Sequence, residues 1–235
     1  MAIKLATFSI AGRDRMSGLL GAAVSTKVPA VGSLCLFVQH GVGAVCTQAW
    51  VNPSLGPRIL SRLAERETAA RALEAVMGEE VDAEIRQVGV VDAAGRSAGY
   101  TGAATDGWAG HLTGADFSTQ GNMLVGAETV SAMAGSFQAS AGIELAERLL
   151  RALEAGQAAG GDRRGKQSAA LLVRGAEVYP LVDLRVDEHP DPVAELRRIF
   201  EIAKVELFPF IAALPTQDNP RGDFARVRAA MAPKG

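Results

Sequence analysis

Val31-Gly32-Ser33-Leu34-Cys35-Leu36-Phe37-Val38 and Val42-Gly43-Ala44-Val45-Cys46-Thr47-Gln48-Ala49-Trp50 are two apolar runs separated by Gln39-His40-Gly41. The polar break makes them a hairpin of two strands. Their apolar residues run nearly continuously and do not alternate, which is the pattern of strands covered on both faces. Such strands need two sheets stacked on each other, each with helices outside.

Working outward, Leu5 to Ala11 and Leu19 to Thr26 form an earlier hairpin around the turn Arg13-Asp14-Arg15-Met16-Ser17-Gly18. Its residues are small on both faces, so other layers must pack closely above and below. Downstream, Asn52-Pro53-Ser54 signals a helix start. Leu55, Ile59, Leu60 and Leu63 follow at helical spacing. A second helix runs from Thr68 to about Gly78, with Ala69, Ala72, Leu73 and Val76 on one face. Arg86 to Asp92 and Arg96 to Thr101 are strands joined through Gly95. Gly102 to Gly114 reads as loop, and Phe117 to Asn122 as a strand stopping at Gln120-Gly121-Asn122. Helices are expected over Glu128 to Ala139 and Ile143 to Gln157, a hairpin over Ala169 to Val173 and Val178 to Val186, and a last helix from Pro192.

Hairpins dominate and parallel βαβ alternation is missing, so the class is α+β. No low-complexity linker divides the chain. The expectation is one domain over residues 1–214 and a polar, loosely held tail over 215–235. The last helix carries Phe200, Leu207, Phe208, Phe210 and Ile211, more large apolar groups than a lone surface helix needs, and a homodimer is expected.

Composition narrows the function classes. The 235 residues are 48% hydrophobic and 21% charged, ordinary for a folded domain. A net charge of −2 and 5% aromatics give no electrostatic or stacking case for nucleic acid. No run is long enough to span a bilayer, and residues 1–6 lack the apolar core of a signal peptide, so a cytoplasmic location is the default. Cys35 and Cys46 are too few for a disulfide framework or a zinc cluster. One disulfide stays possible if their strands pair. His111 and His189 lie far apart without a partner at ligand spacing, so neither a metal nor a cofactor is expected.

The densest polar stretch is Ala158-Ala159-Gly160-Gly161-Asp162-Arg163-Arg164-Gly165-Lys166-Gln167-Ser168, between a long helical pattern and an apolar strand. Its glycines permit positive φ, and its side chains can hold a polar ligand on a rigid scaffold. A charged turn with glycine stop signals explains it equally. The loop shows neither P-loop spacing nor GxGxxG after a strand.

Many motifs, in order, resemble the DUF1028 family. They include Thr7-Phe8-Ser9-Ile10 with Arg13-Asp14, Gly41-Val42-Gly43-Ala44-Val45 with Thr47-Gln48, and Arg86-Gln87-Val88-Gly89-Val90-Val91-Asp92. Others are Trp108-Ala109-Gly110-His111, Gln120-Gly121-Asn122, Gly160-Gly161-Asp162-Arg163, Gln167-Ser168-Ala169-Ala170 and His189-Pro190-Asp191-Pro192. The resemblance covers nearly everything up to about residue 200. It implies a fold similar to the N-terminal-nucleophile (Ntn) hydrolases, a four-layer αββα sandwich. It also implies a possible amidohydrolase, acting on an amide or related C–N bond in a small molecule or peptide.

In that superfamily a terminal Thr, Ser or Cys attacks the carbonyl and its own α-amine is the base. The matching residue here is Thr7. Many relatives place it directly after Met, whereas six residues precede it here, so its nitrogen is a peptide nitrogen and no base. The alternative is a non-catalytic binding or assembly protein that kept the fold without a free nucleophile. The expected site puts Thr7, the Gln120 and Asn122 amides, and Lys27 beside a cleft closed by residues 160–168. There Asp162 and Arg163 pair with each other or the substrate, and Gln167 and Ser168 add ligand contacts. Lys27 as a solvated strand-end lysine and Asn52 as a helix cap are the plain readings of those residues.

Overall fold

The computed structural model describes residues 7–231. The chain opens with an antiparallel pair, β1 (Thr7–Arg13) and β2 (Leu20–Thr26). Asp14 makes the turn between them by accepting hydrogen bonds from the Ser17 N–H and hydroxyl, both at 2.7 Å. A short helix α1 (Gly32–Cys35) leads to β3 (Leu36–Gln39), which pairs with β4 (Gly43–Ala49). Helices α2 (Leu55–Ala64) and α3 (Ala69–Gly78) follow, the second capped by Thr68 Oγ1 accepting from the Arg71 N–H. Next come β5 (Arg86–Asp92), β6 (Ser97–Thr101), β7 (Trp108–Gly114) and β8 (Phe117–Leu124), then helices α4 (Glu128–Ala139) and α5 (Leu145–Ala158). The chain continues through β9 (Ser168–Arg174), β10 (Pro180–Val186), α6 (Pro192–Glu206), α7 (Phe208–Ile211) and α8 (Phe224–Met231).

The strands form two antiparallel sheets. Sheet one has the order β10-β9-β2-β1-β8-β7, and sheet two the order β3-β4-β5-β6. The fold is α+β. Period-two alternation decides what each side chain meets. On β1, Phe8 and Ile10 face α4 and α5 and join a core with Met133, Phe137, Leu149 and Leu153. Thr7, Ser9 and Ala11 face sheet two. On sheet two, Val45, Val88 and Val90 pack on Leu55, Ile59 and Leu73 of α2 and α3, while Ala44, Cys46 and Val91 face sheet one. Each fully buried Phe, Leu or Ile contributes about 1.5–3 kcal/mol. Truncating one, such as Leu149→Ala, costs about 2–5 kcal/mol. Small residues at Gly21, Ala22, Ala23 and Ala44 let the layers approach closely.

Three stretches depart from the sequence reading. Val31 to Val38 is not all strand: residues 32–35 wind into α1 because the Ser168 hydroxyl holds the Val31 N–H at 3.2 Å and Ala30 sits at φ +55°. Residues 108–114, read as loop, form edge strand β7. Their Gly, Ala and Thr content hides the strand, which is specified by pairing with β8. Within the polar tail, residues 224–231 are helical and Asp223 accepts from the Arg226 N–H at 2.9 Å. The last helix also breaks at Leu207. Phe200 is fully buried and meets Phe208 edge-on at 5.5 Å, while Phe210 remains 40% exposed. Leu5 and Ala6, expected to start the first strand, lie outside the described residues, as does the stretch tested for a signal peptide.

Candidate functional site

Between the sheets, polar side chains replace apolar ones toward the start of β1. Ser9 donates to Gln48 Oε1 and accepts from Gln120 Nε2 at 2.6 Å. Gln120 Oε1 in turn accepts from Ser118 at 2.9 Å. Gln48 Nε2 reaches Gln87 Oε1 at 2.8 Å and the Thr7 carbonyl at 3.2 Å. Asn122 Nδ2 donates to the same Gln87 oxygen at 3.0 Å. Gln87 Nε2 lies 2.8 Å from the Gly121 carbonyl and 2.9 Å from Thr101 Oγ1, which meets His111 Nδ1 at 2.9 Å. Ser9, Gln48, Gln87, Gln120 and Asn122 are all buried, so the amides take the place of water as partners. Room for this comes from Gly89, where a Cβ would collide with Gln120 Oε1.

Thr7 lies at the head of this network and is 2% exposed. Register places it between Thr26 and Asn122, and its hydroxyl is 3.1 Å from Thr26 Oγ1. A cavity of about 20 Å³ opens beside it, lined by Thr26, Cys35, Gln48, Ala49 and Val51 among others. That is room for about one water molecule. The open cleft expected here is closed. Three non-glycine residues around it hold positive φ: Ala30 at +55°, Ala49 at +67° and Met123 at +49°. Each such conformation costs on the order of 1–3 kcal/mol and persists only where its surroundings enforce it. Burial raises both neighbouring thiols, Cys46 to about 12 and Cys35 further still, so neither is a thiolate near neutral pH. Both are free.

The 160–167 loop closes this end of sheet one. Gly160, Gly161 and Gly165 take φ of +118°, +60° and +112°. Asp162 is buried. Its carboxylate accepts from the Lys27 backbone N–H at 2.9 Å and the Arg164 N–H at 2.8 Å, and pairs with the Arg164 guanidinium at 3.0 Å. Asp162 thus fastens the end of β2 to the end of β8, next to Thr7.

The structure sorts the expected site residues. Thr7, Asn122, Asp162 and the Lys27 backbone meet at one end of sheet one. Gln120 lies in the middle of β8, not in a turn, and spends its amide on Ser9 and Ser118. Arg163 is exposed, and the partner of Asp162 is Arg164. The Lys27 ammonium points to the Lys166 carbonyl at 3.2 Å. The Gln167 backbone joins the Thr26 carbonyl to the His189 N–H, and Ser168 fastens the Val28–Val31 turn. Asn52 precedes the α2 cap; it accepts from the Ser54 N–H and donates to Glu80. Strand interiors therefore carry buried polar side chains. Ser9, Thr26, Gln48 and Gln87 went unselected, although a glutamine inside an apolar strand is itself a signal of a buried partner. Among the described residues no three His, Cys, Asp or Glu gather as a metal site, and no helix is long and apolar enough to cross a membrane.

The family model for DUF1028, described as a family of unknown function, matches residues 7–196. The chain belongs to the DUF1028 family. The crystal structure of protein SPO2555 from Silicibacter pomeroyi, also of DUF1028, superposes with a TM-score of 0.84 at 29% identity, over 92% of this chain and 98% of that one. Anbu (ancestral beta-subunit) from Yersinia bercovieri aligns over 89% of this chain and 98% of that one at 15% identity, with a TM-score of 0.38, too loose a likeness to bear on the fold. Among curated proteins there is no match. The DUF1028 match opens on Thr7 and includes the whole amide network and the 160–167 loop.

Proposed function

We propose that this DUF1028 protein is a hydrolase of an amide or related C–N bond in a small molecule or peptide, with Thr7 as its nucleophile once Thr7 is the amino terminus. The observation that carries the reading is the placement of Thr7 at the head of a central strand, its hydroxyl 3.1 Å from Thr26 Oγ1, beside buried amides and three strained backbone positions. The layering of helices α4 and α5, sheet one, sheet two, then helices α2 and α3 supports an αββα sandwich of the Ntn-hydrolase kind.

The chemistry divides simply. A terminal Thr7 would bring an α-amine, with an ordinary pKa of roughly 7.7–8.0, next to its own hydroxyl. The amine takes the hydroxyl proton as Oγ1 attacks the carbonyl, then returns it to the leaving amine; water hydrolyses the acyl ester. Thr26 orients Oγ1, and Asn122 lies on the other side of Thr7. With residues preceding Thr7, no base adjoins the hydroxyl among the described residues: the Lys27 ammonium is engaged with Lys166, and Asp162 with Lys27 and Arg164.

The test compares the chain as written, a form cut to begin at Thr7, and the cut form with Thr7→Ala, on a panel of amides followed by amine or ammonia release. Activity is expected only in the cut form, and Thr7→Ser should retain part of it. Equal behaviour of all forms would sink the nucleophile. A second reading, a binding protein without a free nucleophile, is favoured by the burial of Thr7, whose hydroxyl is closed off in the uncut chain. It predicts saturable ligand binding by the uncut chain without turnover. We further propose a homodimer through the outer faces of α6 and α7, where Val205, Leu207 and Phe210 are exposed. Sedimentation of Phe210→Glu should shift toward monomer, and a wild-type monomer at micromolar concentration rejects it.

A further inference from the structure

Among the described residues the two sheets have four edge strands, and three of them are blunted against pairing. β10 carries Pro180, the charges Asp183 and Arg185, and a bulge between Pro180 and Val182. β7 is bulged between Trp108 and Gly110, and β3 has only four residues. β6 has no charge, no proline and a regular register with β5. Its ladder shows which backbone groups face outward. The Asp92 N–H donates to the Arg96 carbonyl and the Gly102 N–H to the Arg86 carbonyl, so the bonded pairs that alternate between them are Val90–Ala98 and Val88–Tyr100. Gly99 falls in the other set, and its N–H and C=O point away from β5. β7 belongs to sheet one and does not pair with β6.

Beside this edge a cavity of about 440 Å³ runs along α3. Leu73 and Met77 of α3 and Ala98 and Tyr100 of β6 make its apolar surface, and Gly99, with no side chain, contributes backbone. The volume lies within the usual range of ligand sites. Among the described residues the one charged side chain in the lining is Glu74, and Arg71, one helical turn earlier, forms no ion pair with it. Glu84 lies close enough to Tyr100 to add to the rise in the Tyr100 pKa that burial causes. Its carboxylate accepts from the Ala103 N–H at 3.1 Å and is not ion-paired among the described residues.

We infer that β6 and α3 form a docking site for an extended peptide of another protein, which adds a strand to the open edge, places an apolar side chain between α3 and β6, and sets a lysine or arginine against Glu74 and Glu84. In such strand addition main-chain hydrogen bonds supply affinity and the side-chain pocket supplies selectivity. Side chains two apart share a strand face, so the basic residues lie two positions from the apolar one. A second copy of this chain fits less well. Pairing β6 antiparallel to itself sets both α3 helices on one face and brings Glu74 toward Glu74, where like charges repel. The inference is independent of the Thr7 chemistry.

The test is fluorescence anisotropy of labelled, blocked pentapeptides Lys-Thr-Xaa-Thr-Lys, with Val, Leu or Phe as Xaa, titrated with the full chain. At least one should bind saturably, and its counterpart with Glu in place of both lysines about tenfold or more weaker. Glu74→Lys should remove or reverse that preference. N-methylation of the central residue and N-methylation of the two threonines block opposite edges of the peptide strand, so one should abolish binding and the other spare it. Ala70→Trp fills the cavity from an exposed position without touching a charge and should abolish binding. Both variants change exposed side chains and should melt close to the wild type. No saturable binding by the wild type, equal affinity for the Lys and Glu peptides, an equal effect of the two N-methylations, or undiminished binding in a folded Ala70→Trp variant overturns the assignment. So does a wild-type dimer in sedimentation that Ala70→Trp dissociates, since that seats a second copy on the edge.

Discussion

The two ends of β1 solve the same problem with opposite chemistry. At both, polar side chains enter a protein interior. At the Thr7 end the groups are neutral, and each amide or hydroxyl can donate and accept, so the network closes on itself with space left for about one water. At the Arg13 end the groups are charged. A guanidinium only donates, and Asp14 and Asp116 cannot occupy every N–H of Arg13, Arg15 and Arg148, so donors are left over and a cavity remains. The contrast teaches that hydroxyls and amides, which both donate and accept, can satisfy one another in full, whereas buried guanidiniums, which only donate, leave Nε atoms without a partner among the described residues. It also fits the role proposed for the Thr7 end, which is shaped to hold a nucleophile still.

The largest way to break the contrast is Gln87→Leu. It removes the hub that joins Gln48, Asn122 and the Gly121 carbonyl, leaving several buried groups without partners, and should cost about 3 kcal/mol in urea unfolding. A loss under about 1 kcal/mol would mean that the neutral end relaxes easily and is no rigid frame. Gly89→Ala is smaller: the added methyl must displace the Gln120 amide, an overpacking cost of about 2 kcal/mol, read in the same assay.

Acid probes the charged end. The Asp14 carboxyl is held below its ordinary range: burial pushes it up, but the Ser17 hydrogen bonds and the Arg148 charge outweigh that. A depressed carboxylate contributes stability that is present above the unfolded pKa and lost as pH falls through the folded one. Asp14→Asn should therefore flatten the decline in melting temperature below about pH 4. An unchanged acid limb would show that Asp14 is not coupled to folding. The weakest effect belongs to His111, where the neutral network reaches solvent. Burial lowers its pKa, so the unfolded chain binds the proton better and stability falls as pH drops below about 6.5. His111→Gln should remove that slope between about pH 5 and 6.5, and a persisting slope would place its origin elsewhere.

Much of the framework was legible before any coordinates. The β1–β2, β3–β4, β5–β6 and β9–β10 hairpins and the helices α2 to α6 follow from local periodicity and turn residues, which need only neighbours in the chain. β7 was not legible, because the small residues in Trp108-Ala109-Gly110-His111 carry no strand signal and only pairing with β8 enforces the extension. α1 was not legible either, because the Ser168 hydroxyl that bends Val31 away from the strand lies 137 residues distant. At the site, the resemblance points to Thr7, while the polar glycine-rich stretch points to Asp162 and the amide at a strand end to Asn122; the exchange of Arg163 for Arg164 as the partner of Asp162 could not be read from adjacent arginines.

By itself, then, the order of apolar runs determined the α+β class, the antiparallel pairing of successive strands and the burial of Thr7-Phe8-Ser9-Ile10 in a covered sheet. Only the tertiary structure decided which polar groups meet. Ser9 bonds Gln48 across 39 residues and Gln120 across 111, and Arg13 finds Asp116 across 103. Such pairings leave no periodic trace, because their partners are chosen by sheet register and by the stacking of one sheet on the other, and both are set by the summed packing of the whole core.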